Sequence, residues 1–360
     1  MDPKNKKILF TGDKYLYSGQ HMPELMDWIE RVVSMDFSKT VPEQKDMQIE
    51  APKNINHEFL AEMDKEKCFS RRSFEKWERI MHSHGASLRE VFCLRYGKFD
   101  RCVDVVVYPS EASQVQQIVT LADKHNVVLV PYGGGTNVTQ ALLLTTQQNE
   151  NRMIVSLDMS RMNQVLWVDK DNMTACVQAG IRGQDLERDL KTQGVVSGHE
   201  PDSSEFSTMG GWLSTRASGM KKNTYGNIED IVQGMTLVTP KGTFAKKAHW
   251  PRVSAGPDFD QTILGHEGNL GVITECIIRV KKAPEVAIFN ALIFPDFEIG
   301  QKFMEEMAKQ KIYPSSLRLM DNVQFQFGQA LKPREPSAAK RIIGEIKKFF
   351  LLNVKGFKPD

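Results

Sequence analysis

Residues 103–108 form a run that is apolar except for Asp104 and is ended by Pro109, and this run most narrows what the chain can fold into. Residues 111–125 follow with Val115, Ile118, Val119 and Ala122 at helical spacing, and residues 127–130 form a second apolar run. A run with no polar alternation predicts a strand covered on both faces. Strand, helix and strand over about 30 residues make a βαβ unit, so the two strands are expected to run parallel.

The string after the second strand, Pro131-Tyr132-Gly133-Gly134-Gly135-Thr136-Asn137, carries chemistry. Glycines without Cβ atoms let the backbone turn sharply and bring N–H groups close to an anion, and Thr136 and Asn137 add side-chain donors. A plain turn is the other meaning of three glycines, and for the string alone the more frequent one. The string is not Gly-x-Gly-x-x-Gly, because Val138 holds the last place, nor a Walker loop, because no Gly-Lys-Ser/Thr follows.

Two further clusters change that balance. Pro201-Asp202-Ser203-Ser204-Glu205-Phe206-Ser207-Thr208-Met209-Gly210-Gly211 is crowded with hydroxyls and leads into Trp212-Leu213-Ser214-Thr215-Arg216-Ala217-Ser218-Gly219. Such a loop entering a helix suits an anion or a polar ring edge, although Ser203 and Ser204 also fit a capped surface loop. In Leu264-Gly265-His266-Glu267-Gly268-Asn269-Leu270-Gly271-Val272-Ile273-Thr274, glycines allow close passage before a strand returns to the core. Glu267 reads first as a capping or ion-pair residue.

Further strands are expected at residues 153–157, 164–168, 175–178, 234–238 and 272–280, with helices at 183–192 and 208–217. Three regions follow. Residues 1–100 read as an N-terminal helical arm, with helices at 23–35 and at 73–82, the latter capped by Ser73. Residues 101–283 read as the α+β ligand-binding domain. Residues 284–360 read as a partial α/β cap domain, with strands at 287–294 and 316–320, helices at 298–311 and 338–350, and an apolar run at 351–354.

At 360 residues the chain is long enough for more than one domain. Its five cysteines, Cys68, Cys93, Cys102, Cys176 and Cys276, are scattered, form no Cys-x-x-Cys pair and point to reduced thiols and no zinc site. A net charge of +2 does not argue for nucleic acid. The lysine pairs Lys221-Lys222, Lys246-Lys247, Lys281-Lys282 and Lys347-Lys348 read as solvated faces, with contact to an anionic ligand or a membrane surface as the minority meaning. No apolar run is long enough to cross a bilayer, and neither end carries a recognised targeting signal.

Taken in order and spacing, the three clusters resemble the FAD-binding domain of the vanillyl-alcohol-oxidase/PCMH family. The resemblance implies two α+β subdomains clasping an extended FAD, with residues 131–137 on its pyrophosphate. It carries FAD contacts over to Pro131, Tyr132, Gly133, Gly134, Gly135, Thr136 and Asn137, to Asp202, Ser203, Ser204, Glu205, Phe206, Ser207 and Thr208, to Thr215, Arg216, Ala217 and Ser218, and to Glu267, Gly268, Asn269, Leu270, Gly271, Val272 and Ile273. Thr136 and Asn137 stand where many relatives carry a His or Cys tethered to the flavin, which implies non-covalent FAD.

Longer strings are similar to the alkyldihydroxyacetonephosphate synthase family. They are Gly198-His199-Glu200-Pro201-Asp202-Ser203, Ser214-Thr215-Arg216-Ala217-Ser218-Gly219-Met220-Lys221-Lys222-Asn223, Tyr225-Gly226-Asn227-Ile228-Glu229-Asp230, Ser316-Leu317-Arg318-Leu319-Met320-Asp321-Asn322 and Gln324-Phe325-Gln326-Phe327-Gly328, with the arm from Thr11-Gly12 to Trp28-Ile29. That resemblance implies ether-lipid synthesis: the acyl chain of acyl-dihydroxyacetone phosphate is exchanged for a fatty alcohol, with no net redox change. It implies a peroxisomal location, a homodimer when full length, and Arg318 as a catalytic guanidinium on a phosphate or the flavin, unless that residue serves an ion pair across a domain junction. His266 and Asn269 depart from the usual Ser and Thr. The family continues for about another domain, with a catalytic Tyr, a second Arg and a His cluster, so the 360 residues are expected to be a fragment inactive alone. An FAD-dependent D-2-hydroxy-acid dehydrogenase and a non-catalytic FAD-binding module remain open alternatives.

Overall fold

The computed structural model describes residues 8–10, 18–34, 36, 42, 46–144, 150–246, 253–333 and 338–354. Thr11, Gly12 and Lys247 lie outside them. The chain divides into two compact units, one of residues 42–287 and one formed by residues 1–41 with 288–360.

Two sheets build the larger unit. The first contains β1 (Arg71–Ser73), β2 (Val105–Tyr108), β3 (Val128–Tyr132) and β4 (Ile154–Asp158), in the order β1-β2-β4-β3. The β2 and β3 strands both pair parallel with β4, which lies between them, and β1 adds an antiparallel edge. All four β2 residues are buried, as an unbroken apolar run requires. The start of β2 is pinned to β4 by a buried bidentate pair: Arg101 donates to Asp104 at 3.0 and 2.6 Å, and Asp104 accepts from the Ile154 N–H at 2.8 Å.

Helices α1 (Leu25–Val32), α2 (His57–Glu66), α3 (Lys76–Met81), α4 (Leu88–Tyr96) and α5 (Ala112–Lys124) precede or interleave these strands. The expected face of α5, Val115, Ile118, Val119 and Ala122, is buried, and Leu121 joins it. It packs in one core with Phe59 and Met63 of α2 and with Val105, Val107, Val155 and Leu157 of the sheet. Each such aliphatic side chain contributes about 1.5–3 kcal/mol by leaving water.

The second sheet contains β5 (Val165–Asp169), β6 (Thr174–Gln178), β7 (Val232–Thr239), β8 (Gly242–Ala245) and β9 (Val272–Arg279), ordered β8-β7-β9-β6-β5 and antiparallel throughout. Helices α6 (Gly183–Thr192) and α7 (Met209–Thr215) cover it through Leu186, Leu190, Met209, Trp212 and Leu213. Two α+β subdomains are therefore present, as expected.

Several expectations are corrected. Residues 42–100 are not part of a separate arm but belong to the larger unit, because β1 pairs with β2 and α2 supplies core residues. Ser73 ends a strand instead of capping a helix, its hydroxyl accepting from the Glu75 N–H at 3.2 Å. The smaller unit contains α8 (Phe297–Lys309), α9 (Asn322–Ala330) and α10 (Ala338–Phe349), but the strands expected at 287–294 and 316–320 are irregular backbone. Neither segment has a hydrogen-bonded strand beside it among the described residues, and β-structure needs that partner. Ile288 and Phe289 are accordingly 76% and 95% exposed. In the same unit α1 meets α9, with Trp28 against Phe327 at 4.9 Å. No described helix is long and apolar enough to cross a membrane.

Candidate flavin cleft

The first wall of the site is the loop leaving β3. Its glycines have distinct tasks. A Cβ on Gly133 would collide with the Thr208 hydroxyl, and one on Gly134 with the carbonyl of Phe206. Gly135 turns through the left-handed region at φ +63° above the Tyr132 ring. The N–H groups of Gly133, Gly134, Gly135 and Thr136 find no acceptor among the described residues. Successive amides left unpaired beside a cleft are what a bound anion needs.

The second wall is residues 201–217. Ser203 takes a left-handed φ of +57°, and its carbonyl accepts from the Phe206 and Ser207 N–H groups at 2.9 and 2.8 Å. The Ser207 hydroxyl accepts from the Trp212 indole N–H at 2.8 Å, so it acts on the protein and not only on a ligand. His199 packs edge-on against Trp212 at 5.0 Å, with both ring nitrogens buried and unpaired. Burial pushes its imidazole down to about 4.

The third wall, residues 266–273, is tied by one histidine. His266 Nδ1 accepts from the N–H groups of Gly268 and Leu270 at 3.1 and 3.3 Å. That acceptor role requires a neutral ring, and burial lowers its affinity for a proton accordingly. Its Nε2 is buried without a partner.

The walls are joined to one another. Glu267 donates its backbone N–H to the Ser214 carbonyl at 2.9 Å and accepts from the Thr139 hydroxyl at 3.3 Å. Gly268, at φ +84°, passes over the Pro131 ring. The cleft they enclose has a volume of about 330 Å³, within the range of small-molecule sites.

Pro131, Tyr132, Gly133, Gly134, Gly135, Thr136 and Asn137 all line it, as do Asp202, Ser207, Thr208, Thr215, Ala217, Glu267, Gly268, Gly271, Val272 and Ile273. Ser203, Ser204, Glu205, Phe206, Arg216, Ser218, Asn269 and Leu270 do not, and several of them shape the walls from behind. Arg216 is a left-handed residue at φ +50° whose guanidinium donates to Gln261 at 3.4 Å. The Asn269 side-chain amide donates to the His266 carbonyl at 3.1 Å. Arg318 belongs to the smaller unit, exposed on irregular backbone between α8 and α9.

Sequence reasoning missed Val138, Thr139, Ala141, Leu142, Gly210, Gly211 and Trp212 as lining residues. The last three stood in strings already singled out. It also missed the α3–α4 connector behind the first wall, where the Ala86 N–H donates to the Asn137 carbonyl at 2.7 Å. Unpaired loop amides and a cradle with no room for Cβ atoms fit a dinucleotide's pyrophosphate. Among the described residues no cluster of metal ligands occurs.

Comparison with known proteins agrees. The family described as FAD binding domain matches residues 103–246, and that described as FAD linked oxidases, C-terminal domain, matches residues 283–354. Alkyldihydroxyacetonephosphate synthase of Caenorhabditis elegans is 45% identical over 359 residues, covering 99% of this chain and 59% of that protein. The Dictyostelium discoideum protein of the same name is 39% identical over 275 residues, covering 76% of this chain and 44% of its own length. A solved structure of alkyldihydroxyacetonephosphate synthase superposes with a TM-score of 0.84 at 33% identity, covering 97% of this chain and 63% of that chain.

Proposed function

This chain belongs to the alkyldihydroxyacetonephosphate synthase family of FAD-binding proteins, spanning 59% of the length of its Caenorhabditis elegans relative, and we propose that it forms the flavin-holding part of an ether-lipid transferase. The whole protein exchanges the acyl chain of acyl-dihydroxyacetone phosphate for a long-chain fatty alcohol. FAD supplies the electrophilic and nucleophilic ring chemistry of that exchange. The chain's own residues hold it: the N–H groups of residues 133–136 face the pyrophosphate, and residues 207–217 and 267–273 flank it. The three-walled cleft with its unpaired loop amides is the observation that carries this reading.

Non-covalent attachment is supported by Thr136 and Asn137, neither of which can form the flavin bond made by His or Cys. Arg318 is assigned to a phosphate contact, for which a planar guanidinium is suited. Residues 101–283 are assigned to FAD and 284–360 to the substrate side. The whole protein is assigned to the peroxisome as a homodimer, with contact to a membrane surface.

The test is a pair of measurements. Titration of the purified 360-residue chain with FAD should give saturable quenching of flavin fluorescence. Labelled hexadecanol should appear in alkyl-dihydroxyacetone phosphate with a protein of the relatives' full span and not with these residues alone. Saturable FAD binding followed by bleaching of the flavin on anaerobic addition of D-lactate would instead assign a D-2-hydroxy-acid dehydrogenase.

A further inference from the structure

Behind the first wall lies a buried pair that the flavin reading does not itself use. His82, in the connector after α3, places Nε2 2.7 Å from Asp158 Oδ2, and both side chains are buried. Its Nδ1 lies 2.7 Å from the Glu78 carbonyl. Both partners are acceptors, so the arrangement is complete only when a proton lies between Nε2 and the carboxylate as well as on Nδ1. Asp158 has a second task, accepting from the Ser160 N–H at 2.7 Å.

The pair leads into the loop. Asp158 stands opposite Tyr132 in the β3–β4 register. The His82 ring packs on the Tyr132 ring with centroids 4.2 Å apart. The Tyr132 hydroxyl donates to the Met81 carbonyl at 3.2 Å, and its ring end lies directly beneath Gly135, the left-handed residue of the loop. Four residues after His82 in the same connector, Ala86 holds the other end of the loop through Asn137. Glu90 in turn fixes that connector, its carboxylate accepting from the Gly85 and Ser87 N–H groups at 2.8 and 3.0 Å.

We propose that His82 and Asp158 are positioning residues for cofactor binding: the buried pair sets the Tyr132 ring, Tyr132 props Gly135 in its left-handed turn, and the amides of residues 133–136 are thereby held in place for a diphosphate. The proposal rests on the assignment of that loop to the FAD pyrophosphate. A loop held before the ligand arrives loses less freedom on binding, so the pair acts on affinity without touching FAD.

The test uses the full 360-residue chain as wild type, His82→Leu, His82→Gln and Tyr132→Phe. Dissociation constants for FAD are read from flavin fluorescence, displacement by ADP supplies a ligand with the diphosphate and no flavin ring, and thermal unfolding is followed without ligand. Leu has no donor, and its variant is expected to weaken FAD and ADP together by about tenfold, the loss of one charge-assisted hydrogen bond. Gln can still donate to Asp158 and is expected to recover most of that loss. Tyr132→Phe is expected to weaken both ligands severalfold.

A merely structural role would lower the melting temperature of the Leu and Gln variants alike. It would leave FAD affinity within about twofold of wild type in molecules that remain folded, and that result overturns the proposal. Should His82→Leu fail to fold, Tyr132→Phe decides, and unchanged FAD and ADP affinity there is equally fatal. A wild-type chain that binds FAD but is not displaced by ADP contradicts the loop assignment itself, and the proposal falls with it.

Discussion

Gly134→Ala is the sharpest perturbation of the cleft. The added Cβ would lie 2.6 Å from the Phe206 carbonyl carbon and 3.1 Å from the Ser207 nitrogen, both backbone atoms that cannot rotate away. Ordinary carbon contacts begin near about 3.5 Å, so the first and second walls must part by roughly 1 Å. Overpacking of this kind costs about 1–3 kcal/mol. If the whole cost falls on the ligand-ready form of the cleft, FAD affinity drops by about five- to 150-fold. Any part relieved by loosening the loops before FAD binds appears as a lower melting temperature instead. Gly328→Ala is the matched control. It sits in α9 in an ordinary helical conformation, and an added methyl there would meet nothing within 4 Å, so it should leave FAD binding unchanged and raise stability by up to about 1 kcal/mol. Fluorescence titration and thermal melts of both variants provide the check. A Gly134→Ala chain that binds FAD as tightly as wild type, with an unchanged melting temperature, would refute the close approach of the two walls.

Two further outcomes are expected. Asp104→Asn leaves the buried Arg101 charge without its counter-ion and weakens the anchor between β2 and β4, so unfolding in urea should show a loss of about 3–5 kcal/mol; a loss below about 1 kcal/mol would remove this anchor from the account. His199 is held neutral by burial with its ionisation down at about 4, against about 6.5 in an unfolded chain. The unfolded state therefore binds the extra proton first as pH falls, and stability present above about pH 6.5 is lost progressively toward pH 4, by up to about 3 kcal/mol. His199→Met should flatten that acid limb in pH-dependent melts, and an unchanged limb would assign the acid sensitivity to other groups.

Much of the flavin-binding unit was legible because its signals are local. The periodicity of residues 111–125 and the apolar runs on either side describe α5, β2 and β3 to within two residues or so. The glycine strings mark places where two backbones touch, which only residues without Cβ atoms allow. The rest depended on distant partners. His82 and Asp158 are 76 positions apart, and nothing in either neighbourhood announces the other. The α4 helix, by contrast, carries a local signature that sequence reasoning missed: Ser87 and Glu90 form a capping box, with the Glu90 N–H donating to the Ser87 hydroxyl at 3.3 Å. Residues 287–294 and 316–320 have strand-like composition, but a strand forms only where a neighbour accepts its hydrogen bonds, and composition does not say whether one exists.

Amide hydrogen exchange of the 360-residue chain with and without FAD tests the three-walled cleft most directly. The N–H groups of Gly133, Gly134, Gly135 and Thr136 have no acceptor among the described residues and should exchange rapidly in the free chain. Saturating FAD should slow these amides, together with those of residues 207–217 and 267–273, while α8 and α9 in the smaller unit keep their free-state rates. Bound FAD that leaves residues 133–136 exchanging as before would contradict the assignment of this loop to the pyrophosphate.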